Sequence, residues 1–326
     1  MTSAEALGTE TPSTPRFPDF IIAGAMKCGT TSLRHILSQH PGVYMPDLEI
    51  FYFALDDIQQ HPHFFGRVDS EWRYHDVEGR RGEYRRWYAS FFEPARPDQL
   101  VGENSTSYIA SRTALTRIGT DLPKAKIIVM LRDPVRRAYS HYWHLVRAGR
   151  TAFRFEDCLQ FYASQVVGRS CYRQQVEHLL ATTPREQVLF IVFERFVSEM
   201  APTVAATLEF LGLQGAIDLD AVSTRRNAGR YPRSLGLELM RNRFLGGPAE
   251  RVPLHLPDIG VPQGRRTGAR GLMSRIARRL NPRHGEAPPM APGTGRFLTA
   301  YFQRENRGLS ELIGQDVDAY WWRGSR

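Results

Sequence analysis

Asp19-Phe20-Ile21-Ile22-Ala23-Gly24-Ala25-Met26-Lys27-Cys28-Gly29-Thr30-Thr31-Ser32-Leu33 reads as a short apolar strand, a glycine-flanked turn and a helix that begins near Gly29. Gly24 and Gly29 are spaced as in the phosphate loop G-x-x-x-x-G-K-[ST]. Lys27, however, lies inside the loop, and Thr30 stands where the loop lysine belongs. Backbone N–H groups at a helix N-terminus form an anion site, and Lys27 with the hydroxyls of Thr30 and Thr31 adds donors. The stretch predicts a phosphate-like group at the mouth of a first strand.

Working outward, 126–131 is a continuous apolar run, as expected for a central parallel strand covered on both faces. Arg132-Asp133-Pro134 ends it, and a helix follows with Pro134 near its first position, carrying Tyr139, Tyr142, Trp143 and Val146 at helical spacing. Between the two runs, the pattern predicts a helix over 29–39, a short strand at 43–45, a helix over 82–92, a strand at 99–103 and a helix over 113–119. Beyond them it predicts helices over 155–164 and 170–181, a strand at 187–193, a helix over 201–211 and a closing helix over 296–313. Alternating strands and helices imply a P-loop-like α/β fold: a central parallel sheet with helices on both faces, in a single domain with long loop insertions. Residues 56–80 lack periodicity and read as an irregular surface segment, in which His61 and His63 flank Pro62 as solvated histidines.

The 326 residues are enough to bury a sizeable core. Apolar residues at 42% and charged residues at 24% are ordinary for a globular protein. The formal charge of +9 favours anionic partners. Cys28, Cys158 and Cys171 sit far apart without C-x-x-C spacing, which argues against a disulfide framework or a zinc site and suits a reducing compartment. No partner base for Cys28 is readable, so it is read as a small loop residue. Residues 1–16 read as a disordered leader rather than a signal peptide, and no run of about 18 apolar residues predicts a membrane span. A cytoplasmic location is the expectation.

Arg132 lies at the C-terminal end of the central strand, the edge where ligands bind in open parallel sheets, and Ser140 follows about two helical turns later. Held together there, they would grip a second phosphate; read alone, Arg132 serves equally as an ion-pair partner. Residues 245–292 shift toward Gly, Pro and Arg and read as a basic loop insertion. Within it, Leu272, Ile276 and Leu280 recur at i, i+4 and i+8 against Arg275, Arg278 and Arg279. Such a basic amphipathic piece suits peripheral contact with an anionic membrane or substrate; the plainer reading packs it on its own domain.

Together these stretches resemble the sulfotransferases that use 3′-phosphoadenosine 5′-phosphosulfate (PAPS). Ala25-Met26-Lys27-Cys28-Gly29-Thr30-Thr31 is similar to the family's 5′-phosphosulfate loop, and Arg132-Asp133-Pro134 through Ser140 to its 3′-phosphate element. His40-Pro41-Gly42-Val43, Glu49-Ile50-Phe51-Tyr52-Phe53, Gly102-Glu103-Asn104-Ser105 and the helix ending near Leu312 are similar to the heparan sulfate branch and its bacterial relatives. The cytosolic phenol and steroid branch fits less well, because its Tyr-Pro-Lys loop is absent.

The resemblance implies one sulfotransferase domain over 17–326 and PAPS as donor, with the spent nucleotide PAP as product and no metal. It implies that Lys27 stabilises the leaving phosphate and that Glu49, matching the branch's catalytic glutamate, takes the acceptor's proton. Burial against Phe51 and Phe53 would raise its pKa. Asn104 departs from the branch, which commonly carries a lysine there. Arg230 and Arg233, in the late basic loop Asn227–Ser234, are candidates for the 3′-phosphate, and Tyr172 for the lining of the site. The acceptor is then a small molecule, a glycan or a lipid-linked hydroxyl or amine, with no nucleic acid. An ATP-dependent P-loop kinase and a basic anion-binding protein stay open as alternatives.

Overall fold

The structure, a computed structural model, describes residues 15–222, 231–245, 253, 255–261 and 269–322. Five parallel strands form the sheet: β1 (Phe20–Gly24), β2 (Val43–Tyr44), β5 (Leu100–Asn104), β6 (Lys126–Leu131) and β7 (Val188–Val192), in the order β2-β5-β1-β6-β7. Two small antiparallel pairs stand apart from it, β3 (Gly66–Val68) with β4 (Glu71–Arg73) and β8 (Tyr231–Pro232) with β9 (Arg283–His284). Every residue of β1 is buried, as are five of the six in β6, so both faces of the central strands are covered. This is why these strands read as unbroken apolar runs rather than alternating ones.

The helices follow in order: α1 (Thr30–Leu37), α2 (Arg81–Ser90), α3 (Arg112–Asp121), α4 (Pro134–Arg147), α5 (Phe155–Phe161), α6 (Ala163–Val166), α7 (Tyr172–Thr182) and α8 (Phe193–Ser198). After them come α9 (Met200–Leu211), α10 (Leu219–Val222), α11 (Leu235–Phe244), α12 (Ala269–Leu280), α13 (Pro292–Glu305), α14 (Leu309–Ile313) and α15 (Asp318–Trp321). α4 is held at its start as its sequence requires: the Asp133 carboxylate accepts from the N–H groups of Val135 (2.8 Å) and Arg136 (3.0 Å), and Pro134 takes the first turn.

Three expectations are corrected. The segment 56–80 is not irregular surface, because it holds the β3–β4 hairpin, and His61, Phe64, His75 and Val77 are buried. The closing helix is two, since Gly308 adopts a left-handed φ of +80° between α13 and α14. The helix expected over 155–164 breaks at Tyr162 into α5 and α6.

Candidate active site

Parallel strands bring the C-terminal ends of β1, β5 and β6 to one edge of the sheet, and the residues that leave them converge there. From β1, Gly24 turns at φ +141° and the Ala25 N–H donates to the Met130 carbonyl at 2.8 Å, tying the loop to β6. A Cβ on Gly24 would lie 2.7 Å from the Thr106 carbonyl oxygen. Lys27 and Gly29 both take left-handed conformations, φ 72° and 89°, and α1 starts at Thr30 with no side chain capping it. The first-turn N–H groups of a helix have no intrahelical acceptor, so this uncapped end is a cluster of donors. Gly29 is closely covered: a Cβ there would come 2.7 Å from the Phe193 ring.

The expected loop residues separate into two kinds. Met26, Lys27 and Gly29 are partly accessible and Thr31 is exposed, whereas Ala25, Cys28 and Thr30 are buried. Burial pushes the Cys28 thiol up to about 11, and its sulfur sits 3.7 Å from the Tyr172 hydroxyl. Tyr172 is itself fully buried and donates to the Arg132 carbonyl at 2.9 Å, so it supports the loop from behind rather than lining the site.

From β6, the Arg132 guanidinium donates to the Lys27 carbonyl at 3.2 Å and lies over the Phe193 ring at 4.8 Å. Its Nε is buried with no hydrogen-bond partner. Ser140 is half-buried two turns into α4. Arg233 is exposed, and its N–H pairs with the Pro282 carbonyl in the β8–β9 region, so the described contacts tie it there rather than to the loop; Arg230 lies outside the described residues.

From β5, the chain turns through Glu103-Asn104-Ser105-Thr106. Glu103 is fully buried and accepts from the hydroxyls of Tyr88, Ser105 and Tyr108, which makes it the anchor of this turn. Asn104 is buried with Oδ1 unpartnered. The Thr106 N–H donates to Glu49 Oε1 at 3.2 Å, and the His255 ring donates to the Glu49 carbonyl at 2.9 Å. Burial raises the Glu49 carboxyl above its ordinary range, against the opposing pull of Thr106, Lys27 and Arg34. The raised pKa agrees with expectation, but Phe51 and Phe53 pack elsewhere, on His61 and Phe64 and on Tyr52, Tyr88 and Tyr108 respectively. Burial, then the neighbouring Arg147 charge, holds the Lys27 ammonium below the usual lysine range.

A cationic wall beside Lys27 had no signal in the sequence. The Arg169 guanidinium is buried and donates to Gln60 Oε1 (2.9 Å), the Gln60 carbonyl (2.7 Å) and Met26 Sδ (3.0 Å), joining the phosphate loop to 57–61. Burial, and after it the charge of Arg150 on His63 and of Lys27 on His144, pushes each of these rings down to about 3. His141 is buried with both ring nitrogens unpartnered, and burial likewise holds it well below the ordinary histidine range. Residues from positions 27, 61–63, 141–150 and 169 therefore share one neighbourhood.

These groups fit a ligand phosphorylated at two places: an uncapped helix end with Lys27 for one phosphate, and Arg132, with an unpartnered Nε, for another. Among the described residues, no group of three or more His, Cys, Asp or Glu could hold a metal ion.

The profile of the Sulfotransferase family matches residues 18–217. The chain is 29% identical over 265 residues to human heparan sulfate glucosamine 3-O-sulfotransferase 6, covering 74% of this chain and 67% of that enzyme. It is 28% identical over 212 residues to human heparan sulfate glucosamine 3-O-sulfotransferase 3B1, covering 62% of this chain and about half, 48%, of that one. Its fold is similar to the crystal structure of a sulfotransferase from Alicyclobacillus acidocaldarius, with a TM-score of 0.59, 26% identity and coverage of 94% and 99% of the two chains.

Proposed function

The chain belongs to the sulfotransferase family, and from that premise we propose that it transfers a sulfuryl group from PAPS to a hydroxyl or amine of a carbohydrate-type acceptor, with Glu49 as general base and Lys27 as the cation at the leaving phosphate. When bound, PAPS supplies a sulfur atom whose bond to the 5′-phosphate oxygen breaks as the acceptor's oxygen or nitrogen bonds to it. The N–H groups at the start of α1, with Thr30, Thr31 and Lys27, would hold the 5′-phosphate. Arg132 and Ser140 would hold the 3′-phosphate.

The observation that carries the reading is the pairing of Lys27 and Glu49 across the sheet edge. Thr106 joins the two loops, its N–H donating to Glu49 Oε1 at 3.2 Å and its carbonyl lying against Gly24, so that Lys27 and Glu49 shift each other's ionisation. One faces the incoming group as a proton acceptor, the other compensates the charge that builds on the departing oxygen. A base whose pKa is lifted toward neutrality is better matched to proton abstraction than an ordinary carboxylate. A fixed ammonium beside an uncapped helix end provides stabilisation without reorganisation during the reaction. The carbohydrate acceptor is supported by the likeness to the two 3-O-sulfotransferases.

The test is transfer of radiolabel from [35S]PAPS to a panel of heparan sulfate fragments, neutral oligosaccharides and simple phenols, with the wild type beside Glu49→Gln. Labelling of saccharides but not phenols, lost in Glu49→Gln, is the expected result. Phenol labelling alone would overturn the acceptor class, and undiminished transfer by Glu49→Gln would overturn the role of Glu49.

A further inference from the structure

The α11–α12 pair is built inside out. Apart from Leu239 on α11, its buried side chains are polar: Glu238, Arg241 and Asn242 on α11, Ser274 on α12 and Asn281 just beyond it. Arg241 donates to Glu238 Oε1 and Asn242 Oδ1, each at 2.7 Å, and to Ser274 Oγ at 3.3 Å. Asn242 Nδ2 donates to the carbonyls of Val146 (2.8 Å) and Thr151 (2.9 Å), which fastens α11 to the end of α4. Asn281 and Ser234 exchange two hydrogen bonds of 2.8 Å, which lock the end of α12 to the start of α11.

The apolar side chains are turned out. On α11, Leu237, Met240 and Phe244 recur at i, i+3 and i+7 and are exposed, Phe244 by 66%. On α12, Leu272, Met273, Ile276 and Leu280 are exposed, Leu280 by 74%. The expectation that α12 packs its apolar side on its own domain is therefore wrong: Ser274 faces inward and the leucines do not. Soluble monomers rarely present two adjacent apolar stripes without a use for them.

We propose that this face docks on an anionic lipid bilayer. The charge of this stretch of sequence selects that occupant: 264–283 contains seven arginines and no aspartate or glutamate. Arg243 and Arg279 are exposed, next to Phe244 and Leu280 in the chain. Apolar side chains in the headgroup boundary with arginines reaching anionic headgroups is the arrangement of an interfacial helix. A second copy of the chain fits worse, because a two-fold contact through this face would bring the exposed Arg243 and Arg279 of one copy against those of the other. The polar anchors on the inner side let the pair present a preformed face. The proposal is independent of the chemistry assigned to Lys27 and Glu49.

The test uses the full chain in flotation assays with vesicles of pure phosphatidylcholine, and with vesicles containing about one third phosphatidylserine. The expected result is binding to the anionic vesicles, weakened by salt, and little to the neutral ones. Replacing Leu272, Ile276 and Leu280 together by Ser should lower the partition coefficient by about tenfold or more, with an unchanged thermal midpoint because these side chains are exposed. Arg243→Glu with Arg279→Glu should do the same by charge. Absence of anionic-vesicle binding at low salt would overturn the proposal. So would binding that the serine variant leaves intact, since the general charge of +9 would then suffice. Self-association in sedimentation velocity that the serine variant abolishes, without vesicle binding, would instead assign the face to a second copy.

Discussion

The Arg132 guanidinium donates to the backbone carbonyl of Lys27 across 3.2 Å, although the two residues are 105 apart in the chain. The bond makes the central strand's terminal arginine a brace for the phosphate loop. It also leaves Nε of Arg132 buried and unpartnered. Arg132→Lys keeps a positive charge but removes the fork that can brace Lys27 and reach a phosphate at once. The dissociation constant for PAP should rise about tenfold or more, as read by calorimetry, with turnover falling as well because the loop loses its brace. Unchanged PAP affinity would take Arg132 out of the nucleotide site.

Glu49 provides a prediction in which activity and stability part company. Its carboxyl is lifted above the model-peptide value by burial, so ionisation is less favourable folded than unfolded. The unfolded chain therefore gives up this proton at lower pH than the folded one, and the group subtracts stability as pH rises from the unfolded pKa through the folded one. Glu49→Gln removes that penalty. At neutral pH its thermal midpoint should equal or exceed the wild type's, while turnover falls on the order of a hundredfold or more. A lower midpoint with equal turnover would recast Glu49 as a structural residue.

The same two shifts set the pH profile. Glu49 must be ionised to act as base, and Lys27 must be protonated to act as cation. The acid limb of turnover should therefore lie above the ordinary glutamate range and the base limb below the ordinary lysine range. The acid limb should vanish in Glu49→Gln. If that limb persists in the variant, another group is responsible for it.

The sheet and its site edge were legible in the sequence because β1 and β6 are buried on both faces and so read as unbroken apolar runs ending in Gly24 and Arg132. Pro134, favourable at a first helical position, announced α4, while the Asp133 cap on its N–H groups was not read from the sequence. The cationic wall was not legible: Arg169 meets Met26 and Gln60 across sequence separations of 143 and 109 residues, and no local spacing encodes that meeting. Burial of His61 was missed for the same reason, since its ring bonds to Ser107, 46 residues further along the chain, at 2.8 Å. The outward leucines of α12 show the limit of periodicity, which locates an apolar stripe but not the side to which it turns.

Gly29 tests the loop's shape. Its φ of +89° is unfavourable for a residue with a Cβ, and that Cβ would meet the Phe193 ring at 2.7 Å. Gly29→Ala should cost roughly 1–3 kcal/mol of stability and weaken PAP binding, because either α1's first turn or Phe193, over which Arg132 lies, must shift. Chemical denaturation and PAP titration measure the two effects. Shrinking the ring in Gly29→Ala/Phe193→Leu should recover part of the stability; a strictly additive double variant would show that the ring contact is not what excludes a side chain there.

Cys28 sits in the phosphate loop and invites a nucleophilic role that its surroundings oppose. It is fully buried, and burial raises its thiol to about 11 despite the lowering effect of Arg137 and Tyr172. At pH 8 roughly one thiol in a thousand would be ionised, and no solvent reaches it. Native protein should therefore resist alkylation at Cys28 while unfolded protein reacts readily, as peptide mass spectrometry would show. Cys28→Ala should lose about 1–2 kcal/mol from the small cavity and the lost Tyr172 contact, yet keep turnover within about threefold, since a side chain that only fills space changes no step of the chemistry. Loss of turnover in a variant that still folds and binds PAP would reopen the case for the thiol.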